Sequence, residues 1–365
     1  MIGAFVVTTI VHAYLHRRWI RDTEMTPRWA RRARVALVAL AALFPAGMVA
    51  LLLMRTSPRA FQSPILWCAF SWMGVLLFVL PVMLTGEIAR AMPASAARRR
   101  AIARAVALAS GAIGVVLSGV SAAIAQRDPI VRRVRVPIAR LGASMRGYKI
   151  VQLSDVHVGA TIGRSLVDSL VARINALEPD LICVTGDLVD GSVRELGALV
   201  APFAKLRARD GVHFVTGNHE YLSGVDEWVA FARDTLGFRV LRNERVAIGG
   251  RDGFDLVGVE DQSGDSDLSR ALRDRDETRA AILLAHRPDD VAEAARRGIA
   301  LQLSGHTHGG QIAPVGIALE RLRQPYVFGR YEIEKTTLYV TSGAGFWGPP
   351  MRLATRAEIV LVELV

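Results

Sequence analysis

The chain is expected to carry an α/β domain behind a set of membrane-spanning α-helices. Three observations lead to that expectation. Long uncharged runs fill the first 126 of 365 residues. From about Val131 onward, short apolar runs alternate with helical stretches. In that second part, clusters of Asp, Asn and His follow one apolar run after another. Uncharged runs of about 20 residues suit a bilayer, and strand–helix alternation marks an α/β sheet.

Hydrophobic residues make up 51% of the chain, high for a protein that meets only water, and the formal net charge is +11. Because many arginines flank apolar runs, the positive charge reads first as a topology signal. No aromatic platform is interleaved with basic residues, so a nucleic-acid polymer is not an expected partner; nucleotides remain as small substrates. The cysteines, Cys68 and Cys183, fall in an apolar span and a core strand, which argues against a disulfide framework.

Residues 35–54, 60–86 and 105–125 contain no charge and are each long enough to span. Residues 1–15 are a shorter fourth candidate, without the basic start and small-residue site of a cleavable leader. His12 within it is expected to be tolerated rather than to bind a ligand. Pro45 and Pro81 read as helix kinks, and Gly111, Gly114 and Gly119 as positions of close helix packing. Residues 16–34 carry seven arginines and residues 87–104 five, whereas the loop 55–59 has only Arg55 and Arg59. Basic loops stay inside, so everything after the third long span is expected outside the cytoplasm. Arg127, Arg132, Arg133 and Arg135 follow that span and weaken the asymmetry. The expected organisation is a helical anchor over 1–126 and a second domain over 127–365. None of the long spans holds an ionisable residue deep inside, which gives a transport pathway no support.

In the second domain, residues 149–153, 181–184, 213–215, 254–259, 281–284 and 300–303 read as strands. Stretches near 163–177, 193–208, 225–235 and 288–297 read as helices. Two further strands, near 337–341 and 358–362, close the chain without a helix between them.

The polar clusters begin where these strands end. They are Ser154-Asp155-Val156-His157, Gly186-Asp187-Leu188-Val189-Asp190, Gly217-Asn218-His219-Glu220, Ala285-His286-Arg287 and Gly305-His306-Thr307-His308-Gly309-Gly310-Gln311. Open α/β sheets bind ligands beyond the carboxyl ends of their strands, so the clusters should meet in one crevice. In extended or loop backbone, residues i and i+2 point the same way. Asp155 with His157, and His306 with His308, can therefore each face a single point. The donors are nitrogen and oxygen without thiolate, which suits Zn, Fe or Mn. One aspartate between two half-sites can bridge two metals, the arrangement used to hydrolyse phosphoryl esters. Asp190 and Glu220 are expected to orient neighbours rather than bind metal, and His213, inside a strand, to be a core or sheet-surface residue.

In the order D-x-H, G-D-x-x-D, G-N-H-E, H, G-H-x-H, the chain resembles the calcineurin-like metallophosphoesterases over roughly residues 148–365. The Gly-Gly-Gln after His308 and the late Trp347-Gly348-Pro349-Pro350-Met351-Arg352 look like their membrane-anchored bacterial branch. The resemblance implies a four-layer α/β/β/α sandwich and a hydrolase of phosphomonoesters, phosphodiesters or pyrophosphates with two divalent metal ions, Mn, Fe or Zn. It assigns Asp155, His157, Asp187 and His308 to one metal and Asp187, Asn218, His286 and His306 to the other, with Asp187 shared. A metal-bound hydroxide would attack phosphorus, and His219 would stabilise the transition state or protonate the leaving oxygen. Many members have an arginine soon after G-D-x-x-D, where this chain has Gly191 and Ser192. Arg352 is the candidate to contact phosphate instead. A bacterial inner-membrane location with an extracytoplasmic catalytic domain, and a phosphorylated small-molecule or lipid substrate, complete the expectation. Two alternatives stay open: a pyrophosphatase of UDP-diacylglucosamine, whose substrate is cytoplasmic, and an inactive metal-binding sensor.

Overall fold

The structure, a computed structural model, describes residues 2–53, 59–93 and 95–365. Most of the expected loop 55–59, including Arg55, and the span ends Met1 and Met54 lie outside the described residues. The chain divides into two compact units, 1–124 with 348–351, and 125–347 with 352–365.

The first unit is helical: α1 (Ile2–Leu15), α2 (Pro27–Leu52), α3 (Arg59–Ala91) and α4 (Ala96–Ala125). The last three are long and apolar enough to cross a membrane. His12 is buried; Trp72 Nε1 donates to its Nε2 at 2.9 Å, and its Nδ1 lies 2.8 Å from the Thr8 carbonyl. Of the three glycines expected at helix contacts, only Gly114 meets a neighbour, its missing Cβ position lying 2.6 Å from Val79. Gly111 and Gly119 face open space. α3 runs beyond the expected span to include Glu87 and Arg90. Glu87 pairs with Arg18 and accepts from the Tyr14 hydroxyl at 2.7 Å; Arg90 pairs with Asp22 at 2.8 Å.

The second unit stacks two six-stranded sheets between helices. Its elements are β1 (Ile130–Val136), β2 (Lys149–Leu153), α5 (Arg164–Asn175), β3 (Leu181–Thr185), α6 (Val193–Val200), β4 (Val212–Val215), α7 (Asn218–Ser223), α8 (Val225–Asp234) and β5 (Arg239–Val240). They continue with β6 (Glu244–Ile248), β7 (Phe254–Gly258), α9 (Leu268–Ala271), β8 (Ala280–Leu284), α10 (Val291–Arg296), β9 (Leu301–Ser304), α11 (Val315–Arg323), β10 (Gly329–Ile333), β11 (Thr336–Val340) and β12 (Glu358–Leu364).

One sheet has the order β1-β12-β2-β3-β4-β5, the other β10-β11-β9-β8-β7-β6. Both are mixed, with parallel centres: β2, β3, β4 and β5 in the first, and β7, β8, β9 and β11 in the second. Parallel strands are buried on both faces and read as continuous apolar runs, as in Leu-Ile-Cys-Val at 181–184 and Ala-Ile-Leu-Leu at 281–284. Between the sheets lie Ile150, Leu181, Cys183 and Val215 from one and Leu256, Ile282, Leu301 and Leu303 from the other. The outer face of the first sheet packs on Leu170, Ile174, Leu196 and Trp228 of α5, α6 and α8. The outer face of the second packs on Leu268, Ala271 and Ala294. The result is the four-layer α/β/β/α sandwich that the resemblance implied.

β1 was not anticipated as a strand because arginines interrupt it. It is an edge strand, the position where charged side chains are most tolerated. Arg132 reaches Glu358 at 2.6 Å and Arg135 reaches Glu363 at 3.1 Å across the β1–β12 pair. Two of the basic residues that blurred the topology signal thus have partners within the sheet.

Candidate metal centre

Each polar cluster occupies the loop at the carboxyl end of one strand: β2 leads to Asp155 and His157, β3 to Asp187 and Asp190, and β4 to Asn218, His219 and Glu220. β8 leads to His286, and β9 to His306 and His308. The first two loops are zipped together by backbone bonds from Asp155 N to Gly186 O at 3.0 Å and from His157 N to Asp187 O at 3.1 Å.

Asp155, His157, Asp187, His306 and His308 all have positive φ, between 52° and 72°. For non-glycine residues this left-handed conformation is unfavourable and persists only where the surroundings impose it, most often at functional sites. The glycines beside them provide room. A Cβ on Gly217 would lie 2.2 Å from Asp187 Oδ1, and one on Gly305 would lie 2.1 Å from Asp155 Oδ2. Glu220, fully buried, ties the loops together, with Oε1 accepting from Leu188 N at 2.7 Å and Oε2 from Gly217 N at 2.7 Å and Asp187 N at 3.0 Å. Burial and the neighbouring Asp187 push its carboxyl up to about 7.

The side chains converge in two groups. In one, His286 Nε2 lies 3.1 Å from Asp187 Oδ2, 3.2 Å from Asn218 Oδ1 and 3.2 Å from His306 Nδ1. Because His286 Nδ1 donates to the Thr185 carbonyl at 2.8 Å, Nε2 is the nitrogen turned toward the cluster. In the other, His157 Nε2 and His308 Nε2 are 3.0 Å apart, with Asp187 Oδ2 3.8 Å from the first and Asp155 Oδ1 3.6 Å from the second. His157 Nδ1 is held by Asp190 Oδ1 at 2.9 Å, and His308 Nδ1 is buried without a partner.

Nitrogen and oxygen atoms gathered this closely need a proton or a cation between them, and a divalent ion can take the place of the protons. The pocket's electrostatics point the same way. Burial alone would depress His286, yet Asp187, with Asp155 and Asp261 beyond it, raises it to about 10. Burial together with the His286 charge lowers His306 to about 3, leaving it a neutral donor. A buried pocket that draws positive charge onto an imidazole suits a metal ion. The donor set therefore suits divalent metal, with Asp155, His157 and His308 in one candidate cluster and Asp187, His286 and His306 in another.

His219 stands against both groups: a ring nitrogen lies within 4.8 Å of ligand atoms of His157 and Asp187, and its backbone N donates to Asp187 Oδ1 at 2.8 Å. Its Nδ1 lies 2.6 Å from Asp190 Oδ1, the same oxygen that holds His157. Burial opposes its protonation, but Asp190 overcomes this and raises it to about 9. His213 lies in β4, buried and outside both groups.

Arg352 departs from expectation. Instead of a solvated arginine near phosphate, it is fully buried, and its guanidinium donates to the carbonyls of Ser342, Gly345 and His308 at 2.6–3.2 Å. Four of its five N–H groups are used in this way, so the guanidinium anchors the loop carrying His308. The aromatic neighbour of His219 was not foreseen: Trp347, half-exposed, sets its indole 5.6 Å from the imidazole at 71°.

This sandwich, with acceptor side chains gathered at the strand ends of both sheets, defines a metallophosphoesterase. The calcineurin-like phosphoesterase family matches residues 148–310. A metallophosphoesterase of Aquifex aeolicus is 35% identical over 224 residues, covering 59% of this chain and 84% of its own length; the chain belongs to this family. It is also similar to a bovine (Bos taurus) transmembrane protein with a metallophosphoesterase domain, 41% identical over 271 residues, covering 69% of this chain and 61% of that one. A Helicobacter pylori metallophosphoesterase is 39% identical over 225 residues, covering 60% of each chain. The chain thus spans 61% and 60% of the lengths of these last two relatives.

Proposed function

We propose that the protein is a membrane-anchored hydrolase of phosphoric esters working with two divalent metal ions. The observation that carries this reading is the convergence of His286 Nε2, Asp187 Oδ2, Asn218 Oδ1 and His306 Nδ1 within hydrogen-bond distance of His286. Asp155, His157, Asp187 and His308 would hold one ion and Asp187, Asn218, His286 and His306 the other. Bound there, the ions supply Lewis acidity at phosphorus and a hydrolytic nucleophile at neutral pH.

The chain's own residues orient these donors and move a proton. Asp190 fixes the His157 tautomer by accepting from Nδ1, directing Nε2 inward. The same carboxylate holds His219 Nδ1, leaving the other ring nitrogen to donate toward a departing oxygen. Glu220 and the positive-φ backbone keep the loops in place before substrate arrives, so little reorganisation accompanies reaction.

Three long apolar helices support an anchor, and an anchor favours a phosphate borne on a lipid or held near the bilayer. The arginine asymmetry of residues 16–34 and 87–104 supports an extracytoplasmic catalytic unit, on a bacterial inner membrane. A carboxyl-terminal alkaline phosphatase fusion should be active and a fluorescent-protein fusion dark; a bright fluorescent fusion would reverse the orientation and favour a cytoplasmic nucleotide-linked lipid.

The activity itself is tested on the full chain in detergent, loaded with Mn and assayed on a phosphomonoester, a phosphodiester and a pyrophosphate. Chelation should abolish turnover of at least one. A folded protein carrying two metals per chain yet inert on all three would refute the reading and leave the metal-binding sensor in its place.

A further inference from the structure

We infer that Trp347 is the wall of a leaving-group subsite that selects substrates bearing a flat, unsaturated group, and that Gln311 is the residue that positions it. The inference rests on the phosphoesterase reading above, because it takes His219 as the group next to the departing oxygen.

Three observations carry it. First, Trp347 is a large apolar side chain left 50% exposed, although apolar contacts bury most aromatic residues of this unit. Second, its indole lies edge-to-face on His219, 5.6 Å between centroids at 71°, in the geometry aromatic pairs prefer. His219 in turn lies edge-to-face on His157, 4.6 Å away at 90°. The indole is therefore separated from a proposed metal ligand by one imidazole ring, that of His219, the group taken to face the departing oxygen.

Third, the indole is held there deliberately. The side-chain amide of Gln311 bonds both polar atoms of the Trp347 backbone: Nε2 donates to its carbonyl at 3.0 Å, and Oε1 accepts from its N–H at 3.0 Å. Gln311 is itself fixed. Its carbonyl accepts from Leu353 N at 3.0 Å and from the Thr355 hydroxyl at 2.8 Å, and its backbone has φ of 45°. It follows His308 by three residues, so the loop that presents two candidate ligands also sets the tryptophan. An amide is required because it donates and accepts at once. Glutamate would accept from the N–H but oppose the carbonyl.

An exposed indole face stacks on any planar π-system without regard to its hydrogen-bonding edges. Nucleobases and simple aryl groups both meet that description. Saturated groups of equal size would gain area burial but no stacking.

The test uses the full chain in detergent, loaded with Mn, and three phosphate esters with alcohols of similar acidity: benzyl, cyclohexylmethyl and methyl. Trp347→Ala should lower kcat/KM for the benzyl ester about tenfold, as expected for one lost stacking contact. The loss should lie mainly in KM, be smaller on cyclohexylmethyl and smallest on methyl. Trp347→Phe should restore most of the benzyl activity. Gln311→Ala should follow the same order of substrates with a smaller loss, and Gln311→Glu should not rescue it. Adenosine monophosphate as a fourth substrate separates a nucleobase from an aryl group. Binding of benzylphosphonate and methylphosphonate by calorimetry gives the same comparison without turnover. Equal losses across the three esters, or no loss on benzyl, would overturn the inference. If the wild type hydrolyses nothing, the phosphoesterase reading fails separately, and the phosphonate pair still decides whether Trp347 selects a flat group.

Discussion

A single oxygen of Asp190 holds two imidazoles with different proposed tasks, and a double-mutant cycle can separate them. Asp190 Oδ1 lies 2.9 Å from Nδ1 of His157, a proposed ligand, and 2.6 Å from Nδ1 of His219, the proposed acid. Asp190→Asn keeps the shape and one acceptor but removes the charge, so both rings lose a charge-assisted bond. Carboxylates that orient metal-ligating histidines typically contribute about 10–100-fold in metal affinity or activity. His219→Ala should cost about 10²–10⁴-fold in kcat through the proton transfer, with both metals retained. In the His219→Ala background, Asp190→Asn can act only through His157. Its remaining effect should be within about 10–100-fold, with a loss of metal rather than of proton transfer. The difference between the two backgrounds is the coupling of Asp190 to His219. Metal content by plasma emission and kcat at saturating Mn should be measured for all four proteins. If Asp190→Asn is fully active with two metals bound, or if the two losses simply multiply, the shared carboxylate does not support the acid and the mechanism is wrong.

Asp187→Asn should reduce metal content at both positions, since Oδ2 faces His286 at 3.1 Å and His157 at 3.8 Å; retention of two metals with normal turnover would remove its bridging role. Arg352→Ala should destabilise the second unit in denaturant unfolding by about 1–3 kcal/mol for each carbonyl of Ser342, Gly345 and His308 left without its donor; no loss of stability together with impaired phosphate binding would return it to the substrate. His213 is held down to about 4 by burial and then by Arg239, so it stays neutral in the folded state. Its contribution is complete above the ordinary value near 6.5 and is lost as pH falls toward 4, about 3 kcal/mol for a shift of that size. His213→Phe should therefore unfold at lower pH than the wild type, and an unchanged acid midpoint would contradict this.

Much of the site was legible because loops after parallel strands face one crevice, so five polar clusters could be placed together from their order alone. Asp155, His157, Asp187, Asn218, His286, His306 and His308 do converge. Arg352 was misread because sequence shows charge but not burial: its guanidinium is matched by three carbonyls that only the folded loop brings near. β1 was missed because its side chains answer to Glu358 and Glu363, more than 200 positions away. Trp347 carried a signal in its motif, but its approach to His219 depends on two bonds from Gln311 that no local pattern announces.

The donor atoms come from the ends of both sheets: Asp155, Asp187 and Asn218 from the first, His286, His306 and His308 from the second. Elsewhere the sheets face each other mainly through apolar side chains, with a few directional bonds such as Gln152 Nε2 to the Ser304 carbonyl at 3.0 Å and the Tyr339 hydroxyl to Glu358 at 3.2 Å. Ions held between them at one end would act as rivets. Neither sheet could then loosen without releasing both ions, and stability would rise with metal concentration relative to the dissociation constant. The lifetime of the folded domain would thereby follow the supply of divalent metal on its side of the membrane, so that scarcity thins the population of enzyme molecules as well as slowing those that remain.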